Sequence, residues 1–369
     1  MTFATTLIVS GETFEMAYRF GQVAERELAG IADAAGQAAC IERLWNGIGE
    51  LGWMGTAIPE EAGGAGGDLA DLAAIASGAG RAGLALPVAS SCGVVPALLA
   101  GNPVLPDVAT GAARVAVILP GAAQDEDTGG LRIRLLNDGL TLDGVVVGVE
   151  TPPNPTHALV AAEGAEPMLL LIPASSPGVQ TELYQRIDGR LAADWHFSLV
   201  TVDSGWIVAR GPEVPERTAA ARDLGALLTC IECVSAMGAL IEQTIQYLLN
   251  REQFGAPLAT YQALRHRVAD MYVEYENLRG ITARALRAAQ SGEPSWQAIA
   301  FAKLRLGEAG RAVAESAIQC HGGMGMTEEL PAIRLCKRLM MAEFEFGNRV
   351  FQAARLLAAD GRTSTAAAD

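Results

Sequence analysis

Basic residues are in short supply: 27 Lys and Arg stand against 42 Asp and Glu, for a formal net charge of −15. That balance argues against a nucleic-acid surface and for solubility, although a local cluster can still read an anionic ligand. Aromatic residues are scarce at 5%, while Ala and Gly are abundant, a composition suited to closely packed helices. The first twenty residues lack a basic stretch followed by an apolar one, so no secretory signal is expected. No apolar run is expected to reach the length of a membrane span. The six cysteines are scattered, and the one CxxC pair, Cys230 and Cys233, has neither a second pair nor a neighbouring His. They read as buried thiols of a reducing cytoplasm, with no metal. The glycine run Gly63-Gly64-Ala65-Gly66-Gly67 is not followed by Gly-Lys-Ser/Thr, which excludes a P-loop.

What is present divides into three. A chain of 369 residues, half of them hydrophobic, is long enough for two or three domains. Over residues 1–108 the period is helical: Leu44, Ile48 and Leu51 end at Gly52-Trp53, and Asp68 is placed to cap a helix through Leu69, Leu72 and Ile75. Over residues 109–212 the period becomes that of short strands, at Val115–Leu119, Leu131–Leu136, Leu140–Leu142, Val145–Val147, Ala158–Val160, Met168–Ile172 and Phe197–Val202. Turn formers such as Asn137-Asp138-Gly139 separate them, as in a small barrel or sandwich. Over residues 213–369 four apolar stripes predict a four-helix bundle: Leu224 to Leu248, Leu264 to Leu278, Ile299 to Val313, and Leu335 to Val350. The tail from Thr363 is expected to fray. The fold class is α+β, mainly α.

Two stretches of the bundle carry candidate chemistry. Arg251-Glu-Gln-Phe-Gly-Ala-Pro, with Gln262 eleven residues on, sets a forked cation at a helix end beside a Phe254-Gly255 turn. Such a fork suits a pyrophosphate, and it equally suits the negative end of the helix it terminates. Gln319-Cys-His-Gly-Gly-Met-Gly follows another helix. Its glycines permit positive φ and close backbone approach, and Gln319 offers an amide for a purine edge or a ribose; a glycine-rich helix stop is the plainer reading.

Taken together with Gly52-Trp53, Ile58-Pro59-Glu60-Glu61, Gly63-Gly64, Ala302-Lys303 and Pro331–Arg334, these stretches resemble the acyl-CoA dehydrogenase family over most of the chain. The resemblance implies that family's fold, a helical domain, a small β domain and a four-helix bundle. It implies FAD, held across a subunit interface by Arg251, Phe254, Gln262, Gln319, His321, Gly322 and Gly323. It implies α,β-dehydrogenation of an acyl-CoA thioester, in which a Glu takes the α-proton and the flavin accepts the β-hydride, with electron-transfer flavoprotein as the acceptor.

The β part departs from the family. Where the family carries Thr-Glu-Pro and Gly-Ser, this chain reads Ala116–Asp127; where it carries the stretch that covers the flavin ring, this chain reads Leu140–Thr151. One of the family's two positions for the base falls at Gly225 and is empty. The other falls near Glu343, without the family's Glu-Gly-Thr context, so Glu343 is a candidate base or an ion-paired helix carboxylate. This pattern resembles the mixed α2β2 dehydrogenases that shorten steroid or bile-acid side chains, in which a homologous partner completes the centre. A self-sufficient homotetramer using Glu343 and a flavin-free scaffold are the alternatives.

Overall fold

In a computed structural model the described residues are 5–31, 33–119, 134–136, 141–163, 166–327 and 329–366. The stretch 120–127, the 131–133 end of one expected strand and the Asn137–Gly139 turn lie outside them.

Helices open the chain: α1 (Glu12–Ala29), α2 (Ala34–Glu50), α3 (Leu69–Ala82), α4 (Val95–Leu98) and α5 (Leu105–Thr110). Asp68 does cap α3, its Oδ1 accepting from the amides of Ala70 (2.7 Å) and Asp71 (3.3 Å). Residues Ala89–Val94, all buried, form one π-helical stretch ahead of α4.

Among the described residues, eight strands follow in two four-stranded sheets. One joins β1 (Val115–Ile118), β4 (His157–Ala162), β5 (Met168–Pro173) and β8 (Ile207–Arg210), with β1 and β4 parallel. The other joins β2 (Arg134–Leu136), β3 (Thr141–Glu150), β7 (Leu191–Thr201) and β6 (Val179–Gln185), all antiparallel. Alternate residues of both sheets, among them Ala158, Val160, Met168, Leu170, Ala193, Trp195 and Phe197, meet in one core, which makes a sandwich. Three expectations change here. The two short strands at Leu140–Leu142 and Val145–Val147 are one bulged strand, β3. Strand β6 was hidden because its residues are all exposed or half-buried and mostly polar, and β8 because it is only four residues long.

The bundle holds α6 (Glu213–Asn250), a two-strand hairpin of β9 (Glu252–Gln253) and β10 (Ala256–Pro257), α7 (Gln262–Gln290), α8 (Trp296–His321), α9 (Pro331–Met341) and α10 (Arg349–Ala366). The fourth stripe is therefore two helices, not one. Phe346 (φ 51°) and Gly347 (φ 99°) take left-handed backbone that no helix can contain. Residues 363–366 continue α10 rather than fray. Contrary to expectation, α6 contains an 18-residue window apolar enough to span a membrane, but 94% of that window is buried inside the protein, as in the central helix of a bundle.

By compactness the chain forms two units that interleave in sequence: Met1–Glu25, Ala73–Leu84 and Ala226–Asp369 make one, Arg26–Leu72 and Ala85–Gly225 the other. The bundle from Ala226 onward and its motifs belong to the first; the sandwich and the first turns of α6, residues 213–225, belong to the second.

Candidate functional site

One end of the bundle gathers the sequence-singled residues. Leu248 of α6, Val268 of α7 and Cys320 of α8 share a small core, with Leu258, Ala259 and Leu264 packed against it. Arg251 lies three residues beyond Leu248, Gln262 two before Leu264, and Gln319 one before Cys320, so packing brings three distant sequence segments to the same place.

The hairpin fixes the position of Arg251. The amide of Leu258 donates to its carbonyl at 2.8 Å, and Phe254-Gly255 close the turn with φ of 56° and 78°. Two left-handed residues make the tight turn whose twist matches a two-stranded ribbon. Phe254 consequently projects outward, 92% exposed, steadied only by the edge of Tyr261 at 6.3 Å between ring centroids. The Arg251 guanidinium and the Gln319 carboxamide are exposed and have no side-chain partner among the described residues. Gln262, the first residue of α7, donates from Nε2 to Nε2 of His266 at 3.4 Å.

Gly322 and Gly323 complete the surface. Gly322 has φ 59°, and a Cβ on either glycine would meet nothing within 4 Å. The backbone there is bare and open to whatever approaches from outside. His321, by contrast, turns its ring into the bundle. Its Nδ1–H donates to the Ala317 carbonyl at 2.8 Å, and the ring lies 4.5 Å from that of Tyr247, whose hydroxyl donates to the His321 carbonyl at 3.2 Å. Burial holds the imidazole below its ordinary pKa, so it is neutral, with its proton on Nδ1. Tyr247 was not singled out in the sequence; standing one turn before Arg251 on α6 is the signal that could have found it.

Comparison with known proteins settles what carries these motifs. Residues 12–107 match the family model described as acyl-CoA dehydrogenase, N-terminal domain, and residues 218–359 that described as acyl-CoA dehydrogenase, C-terminal domain. The chain belongs to the acyl-CoA dehydrogenase family. A probable acyl-CoA dehydrogenase of Bacillus subtilis, YngJ, is 25% identical over 83% of this chain and 86% of its own length. The solved Tcur3481-Tcur3483 steroid ACAD is 26% identical, with a TM-score of 0.77 over 95% of this chain and all of that one. The ChsE4-ChsE5 complex from Mycobacterium tuberculosis shares the fold, with a TM-score of 0.79 at 23% identity over 95% of this chain and 98% of that one. Acyl-CoA dehydrogenases are FAD-dependent oxidoreductases acting on CH–CH bonds.

The bundle end suits the flavin's nucleotide tail: an uncommitted guanidinium for a phosphate, a free carboxamide, and open glycine backbone. The family's second position for the base is occupied differently. Glu343 lies in a short 3-10 turn, Ala342–Phe344, and is buried. Its Oε1 accepts from Arg349 Nε at 2.5 Å, and its Oε2 is 3.6 Å from Arg311. Below that turn, Lys303 of the family's Ala-Lys pair donates to the carbonyls of Ala342 (2.9 Å), Glu343 (2.9 Å) and Gly347 (3.1 Å). Beside it, Arg338 binds Glu232 and Glu345 bidentately, all three buried, with contacts of 2.7–3.1 Å. Both oxygens of the Glu343 carboxylate thus face guanidinium groups of this chain.

Proposed function

We propose that this chain is the cofactor-sharing subunit of a mixed FAD-dependent acyl-CoA dehydrogenase, an α2β2 assembly with a homologous chain, and that the partner supplies the flavin-ring site and the base. The single observation that carries this reading is the contrast within one bundle. Its nucleotide-binding end is open and uncommitted, while its would-be base is locked in ion pairs.

In this reading Arg251 pairs a phosphate of the FAD diphosphate and Gln319 reads the adenosine half. Gln262 adds a hydrogen bond, Gly322 and Gly323 let the backbone close on the ligand, and Phe254 packs against it from the hairpin tip. His321 keeps the turn into Gly322 in place from inside. Bound there, FAD would supply the acceptor for the β-hydride. The α-proton goes to a carboxylate of the partner, not to Glu343. Electrons pass on to an electron-transfer flavoprotein. The likeness to a steroid ACAD supports a bulky acyl-CoA, of the steroid or bile-acid side-chain kind, as substrate. The functional divisions are 1–108, 109–212 and 213–369, and the assembly works in the cytoplasm.

Copurification from the native host, with mass spectrometry of any companion and a flavin-to-chain ratio, tests this. A homologous companion chain and one flavin for every two chains are expected. A yellow homotetramer that oxidises acyl-CoA unaided would overturn the reading in favour of Glu343. A native assembly with no flavin absorbance would overturn it in favour of a scaffold.

A further inference from the structure

We infer that Arg265 of α7 is the second guanidinium of the anion site at this end of the bundle, pairing the flavin's diphosphate together with Arg251, a role that depends on this end being the seat of the FAD nucleotide tail.

The charge of the site is incomplete without it. A diphosphate that bridges two esters carries one negative charge on each phosphate, and Arg251 answers one of them. Gln262 and Gln319 bring uncharged amides, Gly322 and Gly323 bare backbone, and His321 is buried with its ring turned inward. Yet the segment around them is cationic in an acidic chain. From Arg251 to Ala269 stand three arginines, Arg251, Arg265 and Arg267, against one acid, Glu252, while the whole chain has 27 basic side chains to 42 acidic ones. The opening turn of α7 contains no acid, and a cation there opposes the helix's own dipole. An anion held at that point relieves both the like charges and the dipole.

Geometry selects Arg265. Its Nε donates to the Ala259 carbonyl at 2.7 Å. Ala259 directly follows Leu258, whose amide donates to the Arg251 carbonyl at 2.8 Å, so one short loop carries both arginines. The side chain is exposed, and its other guanidinium N–H groups have no partner among the described residues. Tethered through Nε, the group keeps both Nη atoms for a two-pronged bond to phosphate oxygens. Arg265 also stands three residues after Gln262, the spacing that puts two side chains on one face of a helix. Arg267 is two residues further on, about 200° round the helix, and leaves that face. Glu252 forms no ion pair among the described residues, so it does not claim Arg265.

The native assembly, stripped of flavin and titrated with FAD by flavin fluorescence at low and at high salt, tests this. Arg265→Gln keeps a good helix former at an exposed position, so the melting temperature of the stripped assembly should not move. FAD is expected to bind the variant about tenfold more weakly at low salt, and the difference should shrink as salt screens the pair in the parent. In an Arg251→Gln background the same change should weaken FAD further. Unaltered affinity, a loss equal at every salt concentration, or no further loss in the Arg251→Gln background would overturn the role of Arg265; the last two would make it only a tether for the loop that holds Arg251. Weakening by Arg251→Gln alone, with none from Arg265→Gln, would remove Arg265 and leave the nucleotide site standing. If neither variant weakens FAD, the nucleotide site at this end falls as well.

Discussion

A lysine ammonium survives inside a helix bundle only if each proton finds an oxygen. Lys303, 1% exposed, meets that condition with three backbone carbonyls, at a pKa that burial draws below its ordinary value. Lys303→Met would take a donor from all three carbonyls, leaving the Ala342 one with only the Glu345 amide at 3.4 Å, and a loss of about 2 kcal/mol or more is expected in denaturant melts, at roughly 1–3 kcal/mol per orphaned group. Glu343→Gln separates structure from chemistry. It weakens the pairs to Arg349 and Arg311, so melting should fall while turnover of the assembled enzyme changes less than about twofold, well under the 10²–10⁴ that a lost general base costs. His321 sets a pH dependence. Its folded pKa lies below the ordinary 6.5, so as pH falls the unfolded chain takes up the proton first. Its contribution to stability is complete above pH 6.5 and is lost as pH drops through the depressed folded value. His157, also lowered chiefly by burial, adds in the same sense. His321→Gln should flatten the fall in melting temperature below pH 6.5.

At the scale of the element, the break between α9 and α10 shows how a helix is stopped by charge as well as by backbone. Phe346 and Gly347 are left-handed, and the turn they close is held by Lys303 from one side and by the Arg338 pairs to Glu232 and Glu345 from another. A Cβ on Gly347 would lie 2.4 Å from Phe351, so the glycine is required twice over. Arg338→Met would strand two buried carboxylates, and a loss of about 3–5 kcal/mol is expected from equilibrium unfolding. The apolar stripe from Leu335 to Val350 could not reveal this break: its period continues through the turn, and Val350 ends 76% exposed. The long stripes of α6, α7 and α8 were legible because each faces one core. The Phe254-Gly255 turn was legible from residue type alone. Strand β6 was not, because its edge position leaves it little apolar pattern.

At the scale of the whole molecule, all six thiols are buried and unpaired. Burial raises them all, Cys92 and Cys230 to about 12. The folded protein should therefore react with fewer than one equivalent of a thiol reagent, rising to six on unfolding, which a colorimetric titration reads directly. The order of helices, sheets and helices was written in the periodicity of the chain, and the family in the spacing of Arg251, Gln262 and Gln319, since both are properties of neighbours in sequence. The roles of Glu343, Lys303 and His321 were not. Each is decided by groups that packing brings from elsewhere: Arg349 and Arg311 onto one carboxylate, three carbonyls onto one ammonium, Tyr247 onto one ring. Sequence alone names an ionisable side chain, but the partners and the dielectric that set its charge and availability exist only once the chain has folded.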